Sequence, residues 1–137
     1  MNRQEQIIWA SGFFDGEGCI SVWPKTKRKA THAISYNMSM AVFQNDRTPL
    51  DLLCMLFGGN IRRRDIGWFW TLSGQPTVNA LEAMIPYLIV KRSQAEVARS
   101  FQARRVPRGG KYPDPAANNE LNRIDYEKMR NLKLVVK

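Results

Sequence analysis

The chain has 137 residues, of which 44% are hydrophobic, so it can bury one core but is short for two independent domains. Lysine and arginine total 21 against 12 acidic residues, which gives a formal net charge of +9. This excess favours a polyanionic partner, nucleic acid above all, although ribosomal, membrane-surface and simply basic proteins share it. Two cysteines and one histidine are too few for a Cys/His zinc cluster or a disulfide scaffold.

Cys19 and Cys54 lie in apolar sequence contexts. We expect both to be buried thiols of an intracellular protein. The apolar run within residues 1–14 is short, contains small residues and is followed at once by acids. We therefore expect neither a signal peptide nor a membrane span there.

The first predicted element is a helix over residues 4–15 that ends at a group of glycines, because its apolar residues recur at helical spacing. Two alternating segments follow, over residues 19–29 and 33–44. They predict an antiparallel hairpin with one apolar and one polar face, and the first strand runs into a basic loop.

A second helix is predicted over residues 47–59, with Thr48 as N-cap, Pro49 in the first turn, and Gly58 and Gly59 at its end. A second hairpin is predicted over residues 60–74, with its turn near residues 65–67. Its inward-facing residues are predicted to be Ile61 and Trp70, and Arg62 and Arg64 are predicted on the opposite face.

The remaining elements are mostly helical. A third helix is predicted over residues 77–89, with Pro86 as a kink or break, and a basic fourth helix over residues 91–105. Three prolines and two glycines predict a linker or a wrapping loop over residues 106–119. A last helix over residues 119–134 is predicted to dock on the rest, and the residues along one of its sides are Leu121, Ile124, Lys128 and Leu132.

The end of the first helix combines small residues with acids in "ASGFFDGEG". Gly12 and Gly16, together with Ala10 and Ser11, predict a helix face with almost no side chains, against which a second helix can pack closely. The simpler alternative is that a glycine only caps the helix. Glu17 opposes the helix dipole, and a second helix would bring a second carboxylate, so a hard divalent cation such as Mg²⁺ would relieve the repulsion.

Three ordered segments, "ASGFFDGEG", "MAVFQND" before a helix ending in "FGG", and "PYLIVKRSQAEVA", resemble the LAGLIDADG homing endonuclease family over roughly residues 5–105. The resemblance implies an α+β fold of αββαββα order, with a saddle-shaped antiparallel sheet, helices packed on one face, and added C-terminal helices. It divides the chain into an endonuclease core at 1–105 and a Pro/Gly linker with an accessory helix at 106–137.

The resemblance also implies catalytic roles. Glu17, which stands where many members have aspartate, would bind the metal with help from the carbonyl of Gly16. Gln44 would orient solvent near the attacked phosphate, and Lys91 would activate water or stabilise charge there. Asp15 is interpreted as a residue of local structure. The implied metal is Mg²⁺, for which Mn²⁺ or Ca²⁺ can substitute in binding, and this metal chemistry needs no histidine or cysteine nucleophile.

The implied partners are double-stranded DNA and a second copy of the chain, because one motif supplies one active site and a duplex has two strands. The predicted dimer interface comprises Ser11, Gly12 and Gly16, and the target would be nearly palindromic. The predicted DNA-binding residues share the polar face of the sheet or its basic loop: Ser21, Trp23, Lys25, Lys27, Arg28, Ser35, Asn37, Ser39, Arg62, Arg64 and Thr71.

Two other functions remain open for this fold. One is a maturase that assists the splicing of its own intron RNA, and the other is a DNA-binding regulator that has lost cleavage. The joint presence of Glu17, Gln44 and Lys91 favours a nuclease over the regulator. The expected location is intracellular, in the cytoplasm of a bacterial or phage-infected cell or in an organelle.

Overall fold

The computed structural model describes residues 1–25, 34–106 and 110–135. The elements follow the predicted αββαββα order and continue with two further helices. They are α1 (Arg3–Glu17), β1 (Gly18–Lys25), β2 (Ser35–Gln44), α2 (Thr48–Phe57), β3 (Asn60–Arg64), β4 (Gly67–Ser73), α3 (Gln75–Met84), a 3₁₀ turn (Ile85–Tyr87), α4 (Arg92–Ala103) and α5 (Pro115–Val135). No helix within the described ranges has the length and apolarity needed to cross a membrane.

The four strands form one antiparallel sheet in the order β1-β2-β4-β3. Both predicted hairpins are confirmed, and β2 joins them by pairing with β4 at the centre. Ile20, Met40 and Leu72 align across three strands and are buried, so they mark the apolar face of the sheet. The helices supply the other half of this core, in which α1 buries Ala10 and Phe14.

Helix α1 is fixed at both ends. Asn2 and Glu5 form a reciprocal capping box, in which the Asn2 side chain accepts from the Glu5 backbone N–H over 2.9 Å. The helix continues two residues beyond its predicted end at residue 15 and leads directly into β1. A Cβ atom at Gly18 would collide with the ring of Phe14, so glycine is required at this junction. Glu17 is therefore held at the corner between helix and sheet.

Residues adjacent in sequence determine both ends of helix α2, although its first turn is capped by a different residue from the one predicted. Thr48 is the first helical residue, and its backbone N–H donates to the Asp46 carboxylate over 2.9 Å. Asp46 thus pairs one of the backbone N–H groups that have no partner within the helix. Gly58 and Gly59 end the helix as predicted, with φ of +84° and +95°. These are left-handed conformations that glycine adopts without strain.

Helix α3 ends at Met84, and the 3₁₀ turn that follows contains Pro86, which confirms the predicted break. The hairpin turn after β3 is also as predicted, with Asp65 in a left-handed conformation at φ 52°. Trp70 is fully buried and Ile61 is half-buried, so both point inward as expected.

Helix α5 corrects two predictions about the C-terminal region. It begins at Pro115, so residues 115–118 are helical and do not belong to the linker. The helix start was readable in "DPAANN", because Asp114 accepts from the Ala117 backbone N–H over 3.0 Å and a proline fits the first helical position. The predicted docking of this helix is confirmed, but its buried residues are Asn122, Asp125 and Met129.

The predicted α5 face instead lines an open groove against α4, and the side chains of Leu121 and Lys128 are exposed. The helix docks through a different face because polar contacts with α4 decide its orientation. Arg104 at the end of α4 donates to Asn122 Oδ1 over 2.9 Å and forms an ion pair with Asp125. Because a partly buried guanidinium needs these oxygens, the docked face of α5 contains polar residues that apolar periodicity does not reveal.

Candidate functional site

The candidate site lies where the end of α1, the end of β2 and the start of α4 meet. Glu17 is the last residue of α1 and is exposed, and Gln44 is the last residue of β2. The Gln44 side-chain amide donates to Glu17 Oε2 over 3.0 Å. Gly18 and Val42 form the last pair of the β1–β2 ladder, so Glu17 and Gln44 both lie just beyond it and their side chains can meet.

Lys91 approaches the same helix end from the segment before α4. Its Nζ donates to the carbonyl oxygen of Asp15 over 2.6 Å. The last turn of α1 contains no basic residue of its own, so Lys91 supplies the positive charge that the helix C-terminus favours. The structure therefore brings Glu17, Gln44 and Lys91, the three predicted catalytic residues, to one helix end.

Asp15 has a structural role, as interpreted from the sequence. Its carboxylate accepts three backbone N–H bonds, from Ile89 and Val90 at 2.9 and 3.0 Å and from Lys91 at 2.8 Å. Partial burial raises the pKa of this carboxyl, but the three hydrogen bonds and the charge of Lys91 together lower the pKa below its usual 3.8. Because these bonds occupy both oxygens, Asp15 is a poor candidate for a metal ligand.

The oxygen donors suited to a metal are the Glu17 carboxylate and the carbonyls at the end of α1, including that of Gly16. The last carbonyls of a helix have no partner within the helix, so they can face a cation. No cluster of three or more His, Cys, Asp or Glu residues occurs in the part of the chain that the structure covers. A hard cation takes six or more oxygen ligands, so one chain supplies only part of a site, which solvent or a second chain would complete.

The polar face of the sheet carries the predicted DNA-binding residues. Cross-strand register aligns Ser21 with Ser39, and Trp23 with Asn37, opposite the apolar face. Strand alternation places nine predicted residues on this face: Ser21, Trp23, Lys25, Ser35, Asn37, Ser39, Arg62, Arg64 and Thr71. Lys27 and Arg28 lie outside the described residues.

The same face contains polar residues that the sequence analysis did not select. Ser73 pairs with Ser39, and alternation along β4 would have found it. A cavity of about 370 Å³ joins this face to the end of α4, where Gln102 and Arg105 line it with Trp23 and Asn37. No local pattern predicts this approach of α4, because it depends on the packing of the helix.

Cys19 also lies on the polar face, aligned with Ala41, and is exposed, while Cys54 is half-buried. The prediction of two buried thiols is therefore wrong for Cys19 and only partly right for Cys54. The reason is strand parity, since Cys19 alternates with the buried Ile20.

Part of the predicted interface on α1 is accessible in the structure, and it stays a prediction. Gly12 and Gly16 are exposed, and a Cβ atom at either would meet nothing within 4 Å. The prediction for Ser11 is wrong, because this residue is fully buried in its own chain and its hydroxyl donates to the Ile7 carbonyl over 2.7 Å. The open face instead includes Ile8 and Trp9, whose surfaces are 44% and 39% exposed.

The sequence model of the LAGLIDADG endonuclease family matches residues 10–100. This chain belongs to that family. The DNA endonuclease I-CvuI of Chlorella vulgaris is 30% identical to it over 99 residues, which cover 69% of this chain and 62% of the relative. The chain thus spans less than two thirds of that relative's length.

Solved structures share the fold. I-CvuI in complex with the I-CreI target, in the presence of 2 mM Mg and with the DNA not cleaved, gives a TM-score of 0.82 at 23% identity, covering 95% of this chain and 83% of the other. The archaeal intron-encoded homing endonuclease I-Vdi141I, complexed with DNA, gives a TM-score of 0.67 at 16% identity, covering 96% and 82%.

Proposed function

We propose that this protein is a homing endonuclease, a site-specific enzyme that cuts both strands of DNA with divalent metal ions and acts as a homodimer inside a cell. The observation that carries the proposal is the meeting of Glu17, Gln44 and Lys91 at one helix end, beside a polar and basic sheet face. The relative I-CvuI is named a DNA endonuclease, and its structures contain DNA with Mg or Ca present.

Each of the three residues has a distinct task in this proposal. The Glu17 carboxylate and the Gly16 carbonyl would hold Mg²⁺, which when bound supplies a polarised phosphate and an activated water. Gln44 positions solvent through the amide that it also uses to hold Glu17 in place. Lys91 stabilises negative charge at the phosphate, because its ammonium group is fixed at the end of α1.

A homodimer follows from the incomplete site and the open helix face. One chain offers one exposed carboxylate at the end of α1, whereas cutting two strands requires two sites. The backbone at Gly12 and Gly16 is uncovered, so a second α1 can approach closely and bring a second Glu17 with it. A twofold dimer reads a palindromic or nearly palindromic target.

The polar sheet face would lie in the major groove. Arg62 and Arg64 can bond guanine edges with two hydrogen bonds, and Asn37 can do the same with adenine. Lys27 and Arg28 are proposed to hold phosphates, which position the protein without selecting sequence.

The test is selection of cleaved sites from a randomised duplex library with Mg²⁺. The parent protein should yield a defined site, Glu17→Gln should yield none, and the matched control Glu82→Gln, an exposed acid on α3, should behave as the parent. Binding without cleavage by the parent would instead indicate a regulator. Equal cutting by Glu17→Gln would remove Glu17 from its role.

A further inference from the structure

Two arginines and a tryptophan form a cluster beside the candidate site, here called the Arg–Trp cluster (Arg47, Arg63 and Trp68). The guanidinium carbon of Arg47 lies 4.8 Å from the centre of the Trp68 ring, and that of Arg63 lies 4.9 Å from it. Both arginines are exposed and the indole is half-buried. Cation–π attraction therefore holds two positive groups at one ring on the surface.

The cluster is in line with the proposed catalytic residues. Gln44, Trp68 and Arg63 are direct cross-strand partners on β2, β4 and β3. Adjacent strands lie about 4.8 Å apart, so Arg63 is roughly 10 Å from Gln44 across the sheet. The row runs from the Gln44–Glu17 contact to β3, the edge strand.

The positive charge of the cluster is only partly balanced. Arg47 pairs with Asp51, with Nε and Oδ1 3.0 Å apart. In the described ranges of the chain, no carboxylate oxygen lies within 4.0 Å of the guanidinium nitrogens of Arg63. Because the Arg63 guanidinium has no carboxylate partner among the described residues, an anion bound to it would balance its charge through charge-assisted hydrogen bonds.

Strand alternation identifies the kind of anion. Arg63 lies on the face opposite to Arg62 and Arg64, so it does not meet base edges when a duplex lies on the polar face. A cleft of about 290 Å³ at this edge is lined by Arg62, Arg63, Arg64 and Phe69. A nucleic-acid backbone that passes the edge would present phosphates to Arg63, whereas its bases would remain on the other side.

We infer that the Arg–Trp cluster binds one backbone phosphate of the DNA strand that is cut, within about three nucleotides of the scissile phosphate. Three nucleotides is an upper limit, because Gln44 is roughly 10 Å away across the sheet and neighbouring phosphates of one strand are at least the axial rise of about 3.4 Å apart. Arg47 and Arg63 are thus positioning residues that fix the strand in register with Glu17. The inference rests on the proposed function.

The first test measures how affinity for a mixed-sequence DNA duplex depends on salt, with Ca²⁺ present. Arg63→Gln should weaken binding about tenfold and reduce the salt slope by about one, as expected for the loss of one phosphate contact. Arg63→Lys should keep the slope. The matched control Arg130→Gln removes the same charge from an exposed position on α5 and should keep both values. Equal effects of Arg63→Gln and Arg130→Gln would overturn the inference.

The second test locates the phosphate. Duplexes carrying the selected target, each with one uncharged methylphosphonate near the cut, are titrated with the parent and with Arg63→Gln. At one position, replacing the phosphate with a methylphosphonate should weaken binding of the DNA by the parent protein but not by Arg63→Gln. Absence of such a position, or a loss with Arg63→Gln that varies with base sequence, would overturn the inference. Should the parent cut no duplex, the proposed function fails, while the salt measurement still decides whether Arg63 meets a phosphate.

Discussion

The side-chain amide of Gln44 donates to Glu17 Oε2 over 3.0 Å, although the two residues are 27 positions apart in the chain. The contact holds an exposed carboxylate in one orientation at the corner between α1 and β1. It connects the orientation of the proposed metal ligand to the residue that would position solvent.

Gln44→Leu should therefore impair cleavage more than binding. We expect the single-turnover cleavage rate to fall about 100-fold, because a displacement of about 1 Å at a reacting centre has an effect of that size. DNA affinity and the free energy of unfolding should stay close to the parent's, since the Gln44 side chain is not part of the core. An unchanged cleavage rate would contradict the role of this contact.

Asp15→Asn should destabilise the fold, because an amide replaces a carboxylate that accepts three backbone N–H bonds. The expected loss is about 1–3 kcal/mol in the free energy of unfolding, measured by urea denaturation. Asp51→Asn, which removes an exposed ion pair with Arg47, is the control and should change the value by less than about 1 kcal/mol.

The same variant should change the dependence of stability on pH. The pKa of Asp15 is lower in the folded state, so its carboxylate stabilises the fold above 3.8 and this contribution is lost as the pH falls through the lower folded value. The stability difference between the parent and Asp15→Asn should be full at neutral pH and should close in strong acid. A difference that stays constant would show that the charge of Asp15 contributes nothing.

Gly12→Leu should weaken dimerisation without destabilising the folded chain. Within one chain a side chain at this position meets nothing within 4 Å, and replacing a helical glycine with leucine favours the helix by up to about 1 kcal/mol. The folded chain should therefore be at least as stable, whereas dimerisation, measured by sedimentation equilibrium, should weaken by at least about tenfold since the helices can no longer approach closely. Retention of the parent's dimer would place the interface elsewhere.

Asp125→Ala should loosen the docking of α5. The side chains of Arg104 and Asp125 are 23% and 9% exposed, and removing the carboxylate leaves a partly buried guanidinium without its ion pair. We expect a loss of roughly 3 kcal/mol in the free energy of unfolding, with partial recovery in the double variant Arg104→Met, Asp125→Leu. Glu127→Gln, an exposed partner of Arg123, should lose less than about 1 kcal/mol.

Strand alternation and helix signals predicted most of the fold. The period of two assigns each residue of a half-buried strand to one face, so the apolar and polar faces of β1 and β2 could be predicted before their pairing was known. Gly58 and Gly59 predicted the end of α2, and Pro86 predicted the break after α3. These signals are local, which is why they were reliable.

The errors concern relationships that depend on packing. Ser11 and Gly12 are neighbours on a helix, and only the position of α1 on the sheet decides that Ser11 is buried and Gly12 exposed. The buried face of α5 follows from the charge of Arg104, which apolar periodicity does not register. The approach of Arg63 to Trp68 depends on the register of β3 and β4, although Arg63 lies between two arginines that were selected from the sequence.

The bonds made by Asp15 have a mechanical consequence. Its carboxylate holds the backbone before α4, and its own carbonyl holds the Lys91 side chain, so one residue attaches both parts of Lys91 to α1. Any tilt or shift of α1 when a second copy or DNA binds should carry the lysine along with Glu17. The Lys91 ammonium group and the Glu17 carboxylate would then move together, and the distance between them would be preserved while the dimer adjusts to its target.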